Sequence, residues 1–232
     1  MTNHANSVCY ALAVAACPIA LWVGDLDAAE HYIGTLLGHS ARHGLMIWRA
    51  LGQSYQGQLA IQRGEVTAGL RLLRAGFDEI DEAGPASRRL IELLMAEALG
   101  RAGQIDDGLA AIEGAIDHSE RTEERWLFPE FLRVKGELIL LQATQGAAAA
   151  AEDHFRQALD WARRQGALSW ELRAATSLAR LWRDQGRPAE AMALLQPVYD
   201  RFTEGFDTAD LQAAKALLEA LAEPNALRTR IS

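Results

Sequence analysis

The chain is short of lysine, cysteine and β-branched residues, and each shortage excludes something. Lysine occurs only at 135 and 215 among 23 basic residues, and 31 acidic residues leave a formal net charge of −8. Such a chain has no positive field to lay on phosphates or on an anionic membrane surface, so neither nucleic acid nor membrane is expected as a direct partner. The two cysteines, Cys9 and Cys17, lie eight apart in one apolar stretch. That spacing is neither a disulfide framework nor a zinc pair, and it predicts reduced thiols in the cytoplasm. With β-branched residues sparse and no segment alternating with period two, a sheet has no basis in the sequence. What is present, mostly Ala, Leu, Arg, Glu and Gln in 232 residues at 50% hydrophobic, predicts an all-α chain able to bury a core.

Chemistry-bearing motifs are equally scarce. Neither a GxxxxGK(S/T) loop nor GxGxxG occurs, so nothing cradles a nucleotide phosphate and no cofactor is expected. The nearest approach to a serine nucleophile elbow, Gly52-Gln53-Ser54-Tyr55-Gln56-Gly57, is one residue too long and falls inside a helix. His39 and His43 share a helix face but lack a third ligand, so no metal site is expected. Asp106-Asp107 and Glu152-Asp153 fall in first turns of helices, where they complement the helix dipole rather than form an acid/base pair. The chain is accordingly not expected to be an enzyme; a site assembled from distant helices is the third-ranked reading.

The run from Val8 to Val23 is the one place for a targeting signal, and Val14-Ala15-Ala16-Cys17 resembles a lipoprotein cleavage box. No Lys or Arg precedes it and Pro18 interrupts it, which disfavours both signal and anchor. As a helix it has hardly any polar face. Stacking on one neighbour therefore leaves apolar surface exposed, including part of Tyr10 or Trp22, and predicts a cover at this end, an upstream segment or a second copy.

A repeat organises the rest. Glycine recurs at 24, 64, 103, 146 and 186, in steps of 40, 39, 43 and 40. Five residues after each comes a small residue (Ala29, Gly69, Gly108, Ala151, Ala191). An apolar one follows at nine (Ile33, Leu73, Ile112, Phe155, Leu195) and another at thirteen (Leu37, Phe77, Ile116, Leu159, Tyr199). Spacing of four puts these on one helical face. Cys17, Gly57, Ala96 and Ala179 stand seven before the glycine, with Gly136 ten before in the fourth unit. Each unit thus predicts helix A, a glycine turn and helix B, with small residues letting the two backbones approach. Such hairpins bury their apolar faces only by stacking. We expect hairpins at 7–41, 46–82, 86–119, 128–164 and 169–203. A capping helix at 207–223 carries the stripe Leu211, Ala214, Leu217, Leu218 and Leu221, and a tail at 224–232 completes one repeat domain, 1–223, and its extension. Trp22, Trp161 and Trp182 are expected to fill helix contacts, and Trp126 and Trp170 to be partly exposed.

Small positions twelve apart followed by an apolar residue four later resemble the tetratricopeptide repeat, with helices longer than its 34-residue unit. The resemblance implies a right-handed α-α superhelix, a TPR-like solenoid. Four segments, ERTEERW (120–126), LRVKGELILLQ (132–142), AEDHFRQALDWARRQGALSWELRAATSLARLWRDQGR (151–187) and EGFDTADLQAAKALLEAL (204–221), are similar to the C-terminal repeat region of large bacterial signalling ATPases. In that family a winged-helix DNA-binding or class III adenylate/guanylate cyclase domain precedes an AAA-type ATPase and the repeats. The resemblance implies a regulatory or sensory repeat module. It carries over neither DNA binding, cyclase activity nor ATP hydrolysis, since those domains are not in this chain.

In the repeat family resembled, positions three before and one after the small residue of helix A face the concave side. That places Ser54, Gln58, Leu93, Glu97, Arg133, Glu137, Thr176 and Arg180 in a partner-binding lining, with Glu130 and Arg173 one turn earlier. Mixed charge there suits a polar peptide or protein segment, and i,i+4 pairs such as Arg133 with Glu137 also occur as plain surface contacts. The expected function is a non-catalytic protein-interaction or sensor module of a bacterial signal-transduction or transcription-regulatory system, partnered by a protein or peptide such as an AAA-type ATPase domain. A small-molecule or peptide receptor of the same class is the alternative.

Overall fold

The computed structural model describes residues 2–79 and 85–229. Among them no strand occurs. In order the elements are α1 (Thr2–Ala11), a π-helical segment (Leu12–Ala16), α2 (Cys17–Val23), α3 (Leu26–His43), α4 (Met46–Gln62), α5 (Val66–Glu79) and α6 (Pro85–Arg101). There follow α7 (Ile105–Thr122), α8 (Phe128–Leu141), α9 (Ala147–Gln165), α10 (Leu168–Asp184), α11 (Pro188–Tyr199) and α12 (Ala209–Thr229). Of the helices expected to pair in hairpins, α2 packs on α3, α4 on α5, α8 on α9 and α10 on α11. The expected end of the second hairpin at 80–82 and the last residues of the tail, 230–232, lie outside the described residues.

The chain divides into two compact units, Met1–Asp117 and His118–Ser232. In the first, α3 packs on α4, α4 on α5 and α5 on α6; in the second, α8 packs on α9, α9 on α10, α10 on α11 and α11 on α12. Contacts also reach two helices along, as from α8 to α10 and from α10 to α12.

The repeat positions explain this order. Gly24, Gly64, Gly103, Gly146 and Gly186 all have φ between 75° and 91°, the left-handed region where a Cβ is costly. In the fourth unit α8 stops at Leu141 and Gly146 instead stands before α9, the extra residues turning through Ala143 at φ 51°. In the second hairpin the small positions are points of backbone contact. A Cβ on Gly57 would lie 2.7 Å from the Gly69 carbonyl oxygen, and one on Gly69 would lie 2.5 Å from that of Gly57. Ala29, Ala151 and Ala191 are wholly buried, as are Leu73, Ile112, Phe155 and Leu195 one turn on. At the third position only Leu159 is buried; Leu37, Phe77, Ile116 and Tyr199 are half-buried, since a third residue four further on has drifted off the contact face of a 3.6-residue helix.

At the start of the chain, Ala5, Cys9, Ala13, Cys17 and Leu21 are buried at strict intervals of four. An α-helix would carry such a stripe around its surface, and the wider turn of the π segment takes up part of that drift. Pro18 leaves a mark here. In the π register the Cys17 N–H bonds to the Leu12 carbonyl, so the donor due to Ala13 is Pro18, which has no N–H. The buried hydroxyl of Tyr55, on α4, donates to the Ala13 carbonyl instead, at 2.5 Å. By length and composition His4–Val23 could cross a membrane; here one face of it packs on α3 and α4. Its other face leaves Tyr10, Val14 and Ile19 more than half exposed, as the missing polar face requires.

Helix α12 begins at Ala209, and its expected apolar stripe from Leu211 to Leu221 is buried. It does not stop before Pro224 but runs on to Thr229. A proline removes one internal hydrogen bond and need not end a helix, and α11 likewise contains Pro197.

Candidate functional site

Side chains about one repeat apart meet across neighbouring helices A. In the second unit Ser177 on α10 donates to Glu137 on α8, forty residues earlier, at 2.6 Å. Beside it lies an ion cluster centred on Glu130, one of the most buried charges in the unit at 1% exposure. Pro129 is the second residue of α8, and Glu130 falls in the helix's first turn. The carboxylate accepts from Arg133 Nε at 2.9 Å and Nη2 at 2.7 Å, and Arg173 Nη2 of α10 lies 3.0 Å away. Burial alone would raise the Glu130 pKa, but the two guanidinium charges and the Arg133 hydrogen bond overcome it and hold the group below the usual carboxylate range.

The cluster aims arginines into a small cleft. Arg133 also reaches Glu137 at 3.5 Å, and Arg173 lies 3.8 Å from Asp210 on α12. The cleft, of about 110 Å³, is lined by these two arginines with Thr176, Ser177, Arg180, Asp210 and Ala213. The Thr176 hydroxyl is turned back onto the Leu172 carbonyl at 2.8 Å. Arg180 is exposed and engages no carboxylate among the described residues. Guanidinium forks fixed by a buried carboxylate are suited to holding a planar anion or a peptide group. Ser177 donates its hydrogen bond to a carboxylate that Arg133 also approaches.

Six of the residues expected in a lining therefore gather in the second unit: Glu130, Arg133, Glu137, Arg173, Thr176 and Arg180. Glu130 is a support beneath the surface rather than part of it. The other four are expected in the first unit. Ser54, Gln58 and Leu93 are buried and Glu97 is half-buried. Ser54 sits one turn before Gly57, on the side of α4 that faces α5, so its hydroxyl packs over Gly76 and donates to the Ala50 carbonyl. Ser177 and Asp210 were not foreseen: Ser177 lies off the lining offsets, and the pose of α12 has no signal in the repeat.

Other candidates lie outside this cleft. Burial pushes the Cys17 thiol up to about 12, leaving it uncharged. Trp182 is buried between Arg156 and Arg187, whose guanidinium carbons lie 5.1 and 4.7 Å from its ring, while Trp126 is about half exposed. Glu171, also buried, ties Arg163 of α9 at 2.9 Å to Arg201 beyond α11 at 2.5 Å. His39 and His43 stack with ring centroids 6.1 Å apart. Among the described residues no three His, Cys, Asp or Glu side chains are grouped to hold a metal ion.

No family model matches the chain, and no curated protein matches it in sequence. Its backbone is similar to solved structures of a kinesin light chain from Podosopora anserina with nearly identical TPR-like repeats. One of these, a single-substitution variant, aligns over 86% of this chain and 94% of its own at a TM-score of 0.54 and 17% identity. The other aligns over 86% and 95% at a TM-score of 0.53 and the same identity. At that identity the likeness establishes the fold, TPR-like helical repeats, and no more.

Proposed function

We propose that the chain is a non-catalytic protein-interaction module, the regulatory or sensory repeat part of a bacterial cytoplasmic signalling system, cooperating with a signalling ATPase. The arginine cleft on α8, α10 and α12 is its contact surface for a polar peptide segment of the partner. One observation carries this reading: a buried carboxylate, Glu130, holds two arginines in place at a surface where Arg180 stands unengaged among the described residues. A rigid polar surface of this kind gives affinity through several shallow contacts rather than one deep pocket. The signalling context rests on the resemblance of residues 120–126, 132–142, 151–187 and 204–221 to the repeat region of bacterial signalling ATPases.

The test is a pull-down from cells that carry the gene, comparing the chain with its Arg180→Glu variant, whose exposed side chain can be reversed in charge without disturbing the core. The reading predicts that a partner retained by the original chain is lost or much reduced with the variant. Equal recovery of every partner by both contradicts it.

A further inference from the structure

The first unit contains a larger cleft, of about 480 Å³, between the start of α5 and the turn after α6. Arg71 and Arg74, on α5, and Arg101, the last residue of α6, line it together with Thr67, Leu70 and Gln104, and no Asp or Glu is among the lining residues. In the same unit other arginines meet a carboxylate: Arg49 pairs with Glu79 at 3.0 Å and Arg63 with Glu30 at 2.8 Å. Here the single polar contact is neutral. Arg74 Nη2 donates to Gln104 Oε1 at 3.0 Å, which fixes the guanidinium without cancelling its charge. Arg71 and Arg101 are exposed and make no hydrogen bond or ion pair among the described residues.

Three like charges gathered on one cleft repel one another, and in a chain of net charge −8 the carboxylates to neutralise them are plentiful elsewhere. A ligand supplies what the lining lacks. A single carboxylate balances one of the three cations, whereas a phosphate ester carries about −1.5 to −2 at neutral pH and offers three oxygens to guanidinium forks. The volume falls within the range of small-molecule sites and exceeds what one phosphate fills. Leu70, buried at the cleft floor, gives the remainder of such a ligand an apolar surface.

We propose that this cleft binds a phosphate-bearing small molecule, its phosphate held by Arg71, Arg74 and Arg101. The site shares no residue with the cleft on α8, α10 and α12, and neither proposal depends on the other. The experiment is isothermal titration calorimetry of the full chain with inorganic pyrophosphate at constant ionic strength. It is repeated with an Arg71→Gln/Arg101→Gln variant and with Arg180→Gln, each checked by circular dichroism. Saturable one-to-one binding is expected, weakened about a hundredfold in the double variant by loss of two charge-assisted contacts and unchanged in Arg180→Gln. Absence of saturable binding, or equal binding by the double variant, overturns the proposal. A loss in Arg180→Gln alone overturns it too, by moving the anion site to the other cleft.

Discussion

Glu130 shows how one residue sets a surface it barely reaches. Its carboxylate is out of water, and its two arginine partners are turned towards the cleft. Replacing it by glutamine keeps the shape and leaves Arg133 and Arg173 facing each other without the shared counter-charge. Removing one partner of a buried ion cluster costs about 3 kcal/mol or more, so Glu130→Gln should lower stability by that order in urea denaturation at pH 7. The sign of the pH dependence follows from the direction of the shift. A carboxyl held below its ordinary value stabilises the fold above its unfolded pKa, about 4.3, and that contribution is lost as pH falls through the folded value. The gap between Glu130→Gln and the original chain should therefore close on acidification. A gap that stays constant with pH would remove Glu130's charge from the account. The residue types of this cluster were legible in the sequence, since Glu130, Arg133, Arg173 and Arg180 follow from repeat offsets. That Glu130 would lie beneath the surface was not, because burial depends on how closely α8 and α10 approach.

At the scale of elements, small residues decide which helices touch. Gly57 and Gly38 both lie inside helices, yet their surroundings are opposite. An added Cβ at Gly57 would press on backbone atoms of α5, whereas at Gly38 it would meet nothing within 4 Å. Gly57→Ala should therefore destabilise the chain by about 2 kcal/mol through overpacking. Gly38→Ala should stabilise it by about 0.5–1 kcal/mol by restricting the unfolded backbone. Thermal unfolding of the two variants checks both signs; a neutral Gly57→Ala would mean that α4 and α5 do not meet at this point. This contact could be read ahead of the structure because a glycine turn followed five residues later by a small residue recurs five times. The π segment could not. Pro18 marks a disturbance in any helix, but the form it takes depends on Tyr55, 42 residues after Ala13, coming close enough to satisfy the carbonyl that the proline leaves bare. The buried Ser54 makes the same point in reverse: its offset in the repeat is that of Thr176, but Gly76 opposite it lets α5 close over the hydroxyl.

Across the whole molecule, the main packing contacts among the described residues join helices one or two places apart in the chain. Stability in such an architecture is close to a sum of local terms and nearest-neighbour interfaces, so parts open without the whole. The central claim is that within each unit the helices lean on their neighbours along the chain, and that the proposed function lies in the surfaces they present. Native-state amide hydrogen exchange on the full chain, resolved by residue, tests it most directly. The account predicts opening free energies graded along the sequence, highest for the buried positions of α4, α8 and α10 and lowest in α12 and in the turns at the repeat glycines. A single opening free energy shared by all protected amides from α1 to α12 would contradict it.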